Sequence, residues 1–480
     1  METTPLHVVF IGIAARKFSR ILEHVQATRG DHFSHIVTTK ADVETLLADG
    51  VAGADIHFLD SREIDGQPIS VEDRAYLAGL ERPGVPSIHN MILADPYVKR
   101  LPYEQALAYS LHIARGFDAL FRRLQPSAVI GGHDRIIAAM SSAVAQSLGI
   151  PWFTFNYTVL PMGYVALSER VIPDEMVPLT KPDVAALNTL AVSVLEEFEA
   201  RRLRAPAWVS AHSLALVVGR LGTHVRAAVR QMRSTLTDAV DCYNRYSFSA
   251  IVRQYCRKRM NMLRFPKAWF ISVPPDVPYL LFGLHMQPES AIDVFAPFYA
   301  NQLDFVEKVA RAIPPTHRLL VKLHVSDADN YSRRQLDQLR RLPGVHLVAP
   351  TAWSRPFLEQ CAAVVAISGT MGLEGAMLGK PVILFGTTNY GTFPTVARVH
   401  DLNDLPELVR QQLRVPHPGR QAIIDAYRDF IGRYICATGP GTKVQLDDWT
   451  HPEPSVEEQS GFLDLFNRLD AYLGHRSARA

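Results

Sequence analysis

Cysteine is scarce and dispersed in this sequence. No Cys-x-x-Cys pair occurs among its 480 residues, and its four cysteines are Cys242, Cys256, Cys361 and Cys436. A disulfide framework and a structural zinc site both need several closely spaced cysteines, so neither is expected. The composition favours a reducing cytosol.

Long apolar runs are also missing. No stretch approaches about 18 apolar residues without a charge, so no membrane-spanning helix is expected. The first residues have no basic region followed by a long apolar one, as a signal peptide would have. Any contact with a membrane is therefore predicted to be peripheral.

The chain as a whole has no excess of either charge. Its 50 Lys and Arg against 48 Asp and Glu leave a net charge of +2, which argues against a protein that coats nucleic acid. Residues 201–264 are the exception: 12 Arg and one Lys stand against Asp238 and Asp241, a local charge of +11. Basic amphipathic helices are attracted to anionic membranes. A solvated helix face or an oligomer contact explains the same pattern.

Strand-length apolar runs alternate with helical patterns in two stretches. The first stretch begins with Leu6–Ile13 and reaches Trp152–Phe155, and the second begins with Tyr279–Leu284 and reaches Val382–Phe385. In the first, Tyr103–Leu124 has apolar residues at helical spacing and is predicted as one helix. This alternation predicts an α/β protein with two Rossmann-like domains, each binding ligands at the carboxyl ends of its strands.

The predicted domain order places a basic helical connector between the two sheets. The connector is predicted from apolar residues at every third or fourth position of an otherwise basic segment. A terminal loop and helix are predicted to pack back on the first domain. The four parts are residues 1–200, 201–270 (connector), 271–435 and 436–480.

A small-residue turn follows one buried strand of the second domain. Ser368, Gly369 and Thr370 come after Ala363–Ile367, and a short helix then runs to Gly379. The free N–H groups and the positive end of a helix dipole favour a phosphate at such a turn. The alternative is that the two hydroxyls only cap the helix.

Two further loops leave the same predicted sheet edge. Gln287 and Glu289 follow one strand, and Lys322 and His324 end the next. The two basic residues can neutralise a phosphate, whereas Gln287 or Glu289 can hydrogen-bond a sugar or a ribose. Trp353, beyond a third strand, either stacks on a base or packs in the protein.

The first domain offers a carboxylate at a strand end. Asp134 follows the strand Ser127–Gly131, and a helix begins after it. A carboxylate there can act as a nucleophile or a general base, or it can cap the helix. A second polar cluster either binds an acceptor or is ordinary loop: His89, Asn90, Asp95, Lys99 and Arg100.

Three motifs carry a family resemblance: His285-Met286-Gln287-Pro288-Glu289, Val321-Lys322-Leu323-His324, and Ser368 to Glu374 with Gly379-Lys380-Pro381. Together they resemble the capsule polysaccharide synthesis proteins, which include the bacterial β-Kdo transferases. The resemblance implies a two-domain glycosyltransferase B-type (GT-B) fold related to the CMP-sialic acid transferases. It covers residues 280–390 well and the first domain loosely. Val325 stands where the family's Lys-x-His-Pro loop has proline.

The resemblance implies a metal-independent glycosyltransferase that moves a CMP-activated acidic sugar, such as Kdo, to a surface polysaccharide or glycolipid. It implies Asp134 as the nucleophile, with His133 or Glu289 assisting proton transfer. Asp327-Ala328-Asp329 has metal-binding spacing but lies in a polar loop, and no metal or other cofactor is predicted. The enzyme is expected in the cytoplasm or at the cytoplasmic face of the inner membrane. The residues implied to bind the nucleotide sugar are Gln287, Lys322, His324, Ser368, Gly369, Thr370 and Glu374.

Other functions stay open. A CDP-polyol phosphotransferase of the teichoic acid type uses a similar loop and turn, and its product is a phosphodiester. A glycan-binding or assembly component would have the fold without the chemistry. A nucleotide-sugar epimerase needs more acid and base groups than the sequence places.

Overall fold

The computed structural model forms two compact units. One contains Met1–Leu187, Asp241–Arg245 and Ile431–Ala480, and the other contains Asn188–Val240 and Tyr246–Phe430. The prediction of an α/β protein with two Rossmann-like domains is confirmed. The structure describes residues 5–64, 67–172, 175–179, 183–200, 241–263, 265–324, 327–438 and 453–477.

The unit boundaries differ from the predicted domain boundaries in three places. Residues 188–200 are assigned to the second unit, and residues 431–435 to the first. Of the predicted connector, residues 201–240 lie outside the described part of the chain, and Asp241–Arg245 belongs to the first unit.

The first unit is built on a six-stranded sheet in the order β3-β2-β1-β4-β5-β6. All neighbours are parallel except β5 and β6, which form an antiparallel pair. The apolar run Trp152–Phe155 predicts only the first half of β5, and the sequence pattern does not predict the hairpin to β6. The strands are β1 His7–Ile11, β2 His32–Val37, β3 Ile56–Phe58, β4 Ala128–Gly131, β5 Trp152–Val159 and β6 Met162–Ser168.

Helices cover this sheet, and the longest of the early ones has the predicted bounds, Tyr103–Leu124. Its apolar side chains recur at helical spacing and are buried, which explains why the pattern located it. The helices of this unit before residue 150 are α1 Arg16–Arg29, α2 Lys40–Ala48, α3 Val71–Gly79, α4 Ile88–Ala94, α5 Tyr103–Leu124 and α6 Arg135–Ser147.

The C-terminal helix of the chain packs against α1. Phe462 and Phe466 enter the core of the first unit, where Phe462 meets Phe18 edge-on. A buried ion pair, Lys17 Nζ to Glu458 Oε1 at 2.8 Å, joins the two helices. The helices near the unit boundaries and the chain end are α7 Val184–Glu199, α15 Arg420–Thr438 and α16 Val456–Ser477.

The second unit has a seven-stranded, wholly parallel sheet in the order β13-β12-β11-β8-β9-β10-β7. From β8 the chain builds outward through β9 and β10, and it then returns to the other side of β8 with β11. The direction of winding therefore reverses between β8 and β11. The strands are β7 Phe270–Ile271, β8 Tyr279–Gly283, β9 Arg318–Lys322, β10 Val345–Val348, β11 Ala363–Ala366, β12 Val382–Leu384 and β13 Val396–Arg398.

The core of the second unit contains Phe282, Phe305 and Phe385. The ring centroids of Phe282 and Phe305 lie 5.0 Å apart, and those of Phe305 and Phe385 lie 4.7 Å apart.

Across the described ranges, no helix is both long and apolar enough to span a bilayer. The remaining helices are α8 Phe248–Leu263, α9 Ser290–Asp293, α10 Gln302–Ala312, α11 Arg333–Arg340, α12 Ser354–Gln360, α13 Thr370–Met377 and α14 Leu405–Gln412.

Candidate functional site

Three predicted loops of the second unit leave one edge of its sheet. Strand β8 pairs with β9 as far as Gly283 and Lys322, and it pairs with β11 on its other side. Because all three strands are parallel, their carboxyl ends lie together. The winding reverses between β8 and β11, and ligands of open α/β sheets bind at such a point.

The turn after β11 begins a helix that has no side-chain cap. Gly369 precedes α13 in an extended conformation, and no side chain caps its N-terminus. The alternative of simple helix capping by Ser368 and Thr370 is therefore not observed. Ser368 Oγ instead donates a hydrogen bond to the Ala291 carbonyl oxygen, and Thr370 is exposed at the first helical position. This leaves the helix N-terminus suited to an anion.

Gly369 allows His285 to pack against this turn. A Cβ atom at Gly369 would lie 2.8 Å from His285 Cε1, closer than a methyl group tolerates. Tyr390 fixes the turn from another direction, because its hydroxyl donates to the Gly369 carbonyl oxygen at 2.8 Å. His285 belongs to one of the family motifs, but the sequence predicts no role for it; in the structure it forms part of the wall of the candidate site.

His285 is neutral in this environment. Burial lowers its pKa to about 4, and the neighbouring His324 adds to the effect. Burial also lowers the pKa of His324, with the charge of Lys322 as the second cause. The candidate site therefore holds two neutral imidazoles beside one lysine at pH 7.

Lys322 is buried at the end of β9, with 7% of its surface exposed. Its Nζ donates to the Pro350 carbonyl oxygen at 2.9 Å and to that of Leu323 at 3.4 Å. Burial lowers the pKa of Lys322 to about 8, so the ammonium form still dominates at pH 7. A lysine has three N–H donors, and two of these are directed at the carbonyls.

The loop after β8 is held by a network of buried amides and one carboxylate. Gln302 accepts the His285 backbone N–H at 2.7 Å and donates to Gln287 Oε1 at 3.0 Å. Gln287 Nε2 then donates to Asp293 Oδ1 at 3.1 Å, and Asp293 Oδ2 accepts the Glu289 backbone N–H. Gln287, predicted to meet the sugar or ribose, thus has both ends of its amide bonded within the loop, whereas the Glu289 side chain is exposed.

Asp293 and Gln302 were not found from the sequence. Both lie on helices, where a polar residue is unexceptional, and both are nearly fully buried. Nothing in the local pattern marks them, because their partners belong to the preceding loop.

Glu374 lies on α13 in a half-buried position. Burial raises its pKa to about 7, and the nearby Arg355 opposes the shift. Arg355 is itself paired with Glu359 at 2.8 Å. Glu374 therefore exchanges between carboxylate and carboxylic acid near neutral pH.

Trp353, for which base stacking and packing were both predicted, is 44% exposed.

In the first unit, Asp134 is exposed at the end of β4. It directly precedes α6, but its side chain does not cap that helix. Asp95 fills that position, because its Oδ2 accepts the Ile136 backbone N–H at 3.3 Å. The capping alternative for Asp134 is therefore wrong.

His133, next to Asp134, is fixed through Nδ1. This atom lies 3.3 Å from the Val171 carbonyl oxygen and 3.4 Å from Thr154 Oγ1. Burial lowers the pKa of His133, and the Asp134 charge raises it in part. Backbone hydrogen bonds to Val171 and Phe155 raise the pKa in part as well, and they hold the ring beside Asp134.

The second polar cluster is dispersed. Asp95 is fully buried, His89 Nε2 lies 2.7 Å from the Tyr103 hydroxyl, and Lys99 and Arg100 are exposed. Of this cluster, Asp95 forms hydrogen bonds with Arg135 and Ile136, directly after Asp134.

Metal-ligating side chains do not converge within the described ranges, where no group of three or more His, Cys, Asp or Glu is arranged to hold an ion. Asp327 instead accepts the Gln287 backbone N–H at 3.3 Å and a hydrogen bond from Asn330. It supports the loop after β8.

Residues 240–401 match the family model described as capsule polysaccharide biosynthesis protein. This segment contains every candidate site residue of the second unit. The predicted resemblance to that family is confirmed over this part of the chain. No curated protein matches the sequence.

Solved structures show only distant similarity. The UDP-GlcNAc 2-epimerase of Neisseria meningitidis, bound to UDP-GlcNAc, is 11% identical, with a TM-score of 0.28 over 88% of this chain and 98% of that chain. KpsC of Thermosulfurimonas dismutans is matched twice. Its β-Kdo 2,7 transferase is 11% identical, with a TM-score of 0.32 over 73% of this chain and 89% of that chain. Its β-Kdo 2,4 transferase is 15% identical, with a TM-score of 0.29 over 63% and 79%.

Proposed function

We propose that this protein is a glycosyltransferase of capsule polysaccharide synthesis that uses a nucleotide-activated sugar, with a CMP-linked acidic sugar such as Kdo as the donor. The observation that carries the proposal is the uncapped N-terminus of α13, which packs against His285 at the sheet edge where β9 ends in Lys322 and where the sheet reverses its winding. This arrangement lies within the segment that matches the capsule family.

The donor site is proposed to bind one phosphate. The α13 N-terminus supplies backbone N–H groups and the positive end of the helix dipole, and Thr370 supplies a hydroxyl. Lys322 adds one positive charge. The positive end of one helix and one ammonium group match the charge of the single phosphate of a CMP-sugar. The protein itself supplies this positive charge, so no metal ion is part of the proposal. Glu374, on the same helix, is proposed to accept hydrogen bonds from the ribose hydroxyls.

Asp134 is proposed as the catalytic carboxylate. One of its oxygens attacks the anomeric carbon of the sugar, and the bond from that carbon to the phosphate oxygen breaks, so that CMP leaves with the electron pair. An acceptor hydroxyl then displaces Asp134 from the same carbon and gives its proton to His133 or to Glu289. Two displacements retain the anomeric configuration.

The place of the reaction is proposed to be the cytoplasm, at the inner face of the membrane. The few dispersed cysteines suit a reducing compartment. The basic segment 201–264 is proposed to attract the enzyme to the anionic surface where a lipid-linked or glycan acceptor is held.

The donor site is tested by thermal unfolding with CMP, CDP, UMP, UDP and GDP. A ligand at 100 times its Kd adds about 2.7 kcal/mol to the free energy of unfolding, which raises Tm by a few degrees. We expect cytidine nucleotides to stabilise the protein and His324→Ala to abolish the effect. A preference for uridine or guanosine diphosphates would contradict the proposed donor, and no response to any nucleotide would favour the glycan-binding alternative.

A further inference from the structure

Helix α8, Phe248–Leu263, presents one exposed face on which apolar and basic side chains alternate. At about 100° per residue, the exposed side chains that the structure describes on it fall within an arc of about 140°. Val252 and Met260 on this arc are 44% and 47% exposed. We call this surface the α8 face; it consists of Ser249, Val252, Arg253, Cys256, Arg257 and Met260.

All charged residues of this helix are basic. It contains three arginines and one lysine and has no Asp or Glu. Neither Arg253 nor Arg257 forms an ion pair with any described residue.

Several arginines on other helices of this protein have an acidic partner one turn away. Arg311 pairs with Glu307, and Arg341 pairs with Asp337 at 2.8 Å. The α8 face therefore differs from those helices, because α8 contains no acidic residue that could neutralise its arginines.

Helix α8 packs against the turn Ala328–Asn330. Asn330 Nδ2 donates to the Gln287 carbonyl oxygen at 3.3 Å, so this turn supports the loop after β8. The α8 face is thus attached, through one turn, to the loop that walls the candidate donor site.

We propose that the α8 face docks on an anionic lipid membrane. Arginine guanidinium groups bind lipid phosphates, while apolar side chains between them enter the boundary between headgroups and acyl chains. A water-soluble polyanion would satisfy Arg253 and Arg257 but would leave Val252 and Met260 in water. A membrane accommodates both kinds of side chain. This inference rests on the part of the proposed function that brings residues 201–264 to an anionic surface, and it assigns that contact to the α8 face and to lipid; it requires no turnover.

The experiment is co-sedimentation of the full chain with lipid vesicles at about 0.1 M salt. Vesicles of phosphatidylcholine with about 30% phosphatidylglycerol are compared with vesicles of phosphatidylcholine alone. Three double variants are used: R253Q/R257Q removes charge, V252S/M260S removes apolar surface, and R334Q/R414Q removes two exposed arginines elsewhere in the same unit as the matched control. Thermal unfolding without vesicles checks that each variant folds.

We expect the wild-type chain and R334Q/R414Q to bind the anionic vesicles, and high salt to weaken that binding. R253Q/R257Q should bind at least about tenfold more weakly, because each arginine near an anionic surface contributes substantially to binding. V252S/M260S should also bind more weakly. A fluorophore on Cys256, with Cys242 and Cys436 replaced by serine, should shift to the blue with anionic vesicles.

Two results would overturn the proposal. The first is vesicle binding that is equal in all variants, or that is as strong with phosphatidylcholine alone as with the anionic vesicles. The second is loss of binding in R253Q/R257Q with V252S/M260S unchanged and dextran sulfate competing fully, which would identify a soluble polyanion as the ligand. Membrane binding is measured without a nucleotide, so its failure is separate from a failure of the proposed enzyme activity.

Discussion

Asp95 holds Arg135 in place directly after the proposed catalytic carboxylate, with Asp95 Oδ2 3.3 Å from Arg135 Nε. Arg135 has φ +69°, a left-handed conformation that is costly for a residue with a Cβ atom. Its guanidinium also donates to Asn244 Oδ1 at 2.8 Å and lies 4.9 Å from the centre of the Tyr97 ring. Such conformations persist where surrounding contacts fix them, so these contacts set the backbone that presents Asp134.

Asp95→Asn is therefore expected to lower kcat for sugar transfer at least about tenfold while leaving the KM for the donor nearly unchanged. The variant weakens a buried charged contact, so its free energy of unfolding should fall by about 2 kcal/mol. Steady-state kinetics and chemical unfolding measure the two effects.

The matched control is Asp31→Asn, which disrupts another buried carboxylate of the same unit, bonded to Arg29 at 2.7 Å. This control should lose similar stability and keep its kcat. Equal loss of kcat in both variants would mean that Asp95 acts through stability alone.

Gly369→Ala should weaken nucleotide binding at least about tenfold. The new methyl group would lie 2.8 Å from His285 Cε1, and that ring is buried, so the turn at the α13 N-terminus must shift. Calorimetric titration with CMP measures the change. Gly79→Ala in α3 is the control, since nothing lies within 4 Å of the position of its added Cβ atom. Unaltered CMP affinity in Gly369→Ala would remove the turn from the binding site.

Acid should destabilise the protein partly through His285. Burial lowers the pKa of this histidine to about 4, below the usual value near 6.5 in the unfolded chain. The unfolded state therefore binds the proton more readily. The resulting loss in the free energy of unfolding is absent above about pH 6.5 and grows to about 3 kcal/mol as the pH falls to about 4.

His285→Gln removes this titration. Its Tm should fall less steeply than that of the wild type between pH 6.5 and pH 4, which scanning calorimetry measures. Part of the acid sensitivity should remain, because burial also lowers the pKa of His35 in the other unit to about 4. Parallel Tm profiles for the two proteins would show that His285 does not contribute.

Nucleotide affinity should follow a bell-shaped pH profile with its maximum between about pH 7 and pH 8. The pKa of Glu374 is raised to about 7, so binding should strengthen above it as the carboxylate becomes a better acceptor for ribose hydroxyls. The pKa of Lys322 is lowered to about 8, so binding should weaken above it as the positive charge is lost.

Two variants assign the limbs of that profile. Glu374→Gln should flatten the acidic limb, and Lys322→Arg should flatten the alkaline limb because arginine stays charged. Calorimetric titration with CMP from pH 6 to pH 9 makes the comparison. A profile unchanged by either substitution would show that these groups do not contact the nucleotide.

The sequence was sufficient to predict features that repeat locally. The spacing of apolar residues predicted the bounds of α5. The ends of the apolar runs placed Lys322, Ser368 and Asp134 at the carboxyl ends of parallel strands. The hairpin from β5 to β6 was missed because its second strand has no separate turn signal beyond Leu160 and Pro161.

Roles that depend on distant partners were not predictable. Ser368 bonds to the carbonyl of Ala291, 77 positions earlier, and Asp95 caps a helix that begins 40 positions later. The sequence around each of these residues contains no pattern that predicts its contact. Sequence patterns identified which residues reach the sheet edge, and only the tertiary structure shows which of them support the others.

The most direct test is incubation of the purified protein with CMP-Kdo and a capsule-type glycan acceptor, with the products identified by mass spectrometry. The account predicts release of CMP together with an acceptor extended by one glycosidically linked Kdo, and loss of both in Asp134→Asn. A product joined through a phosphodiester, or turnover that persists in Asp134→Asn, would contradict it.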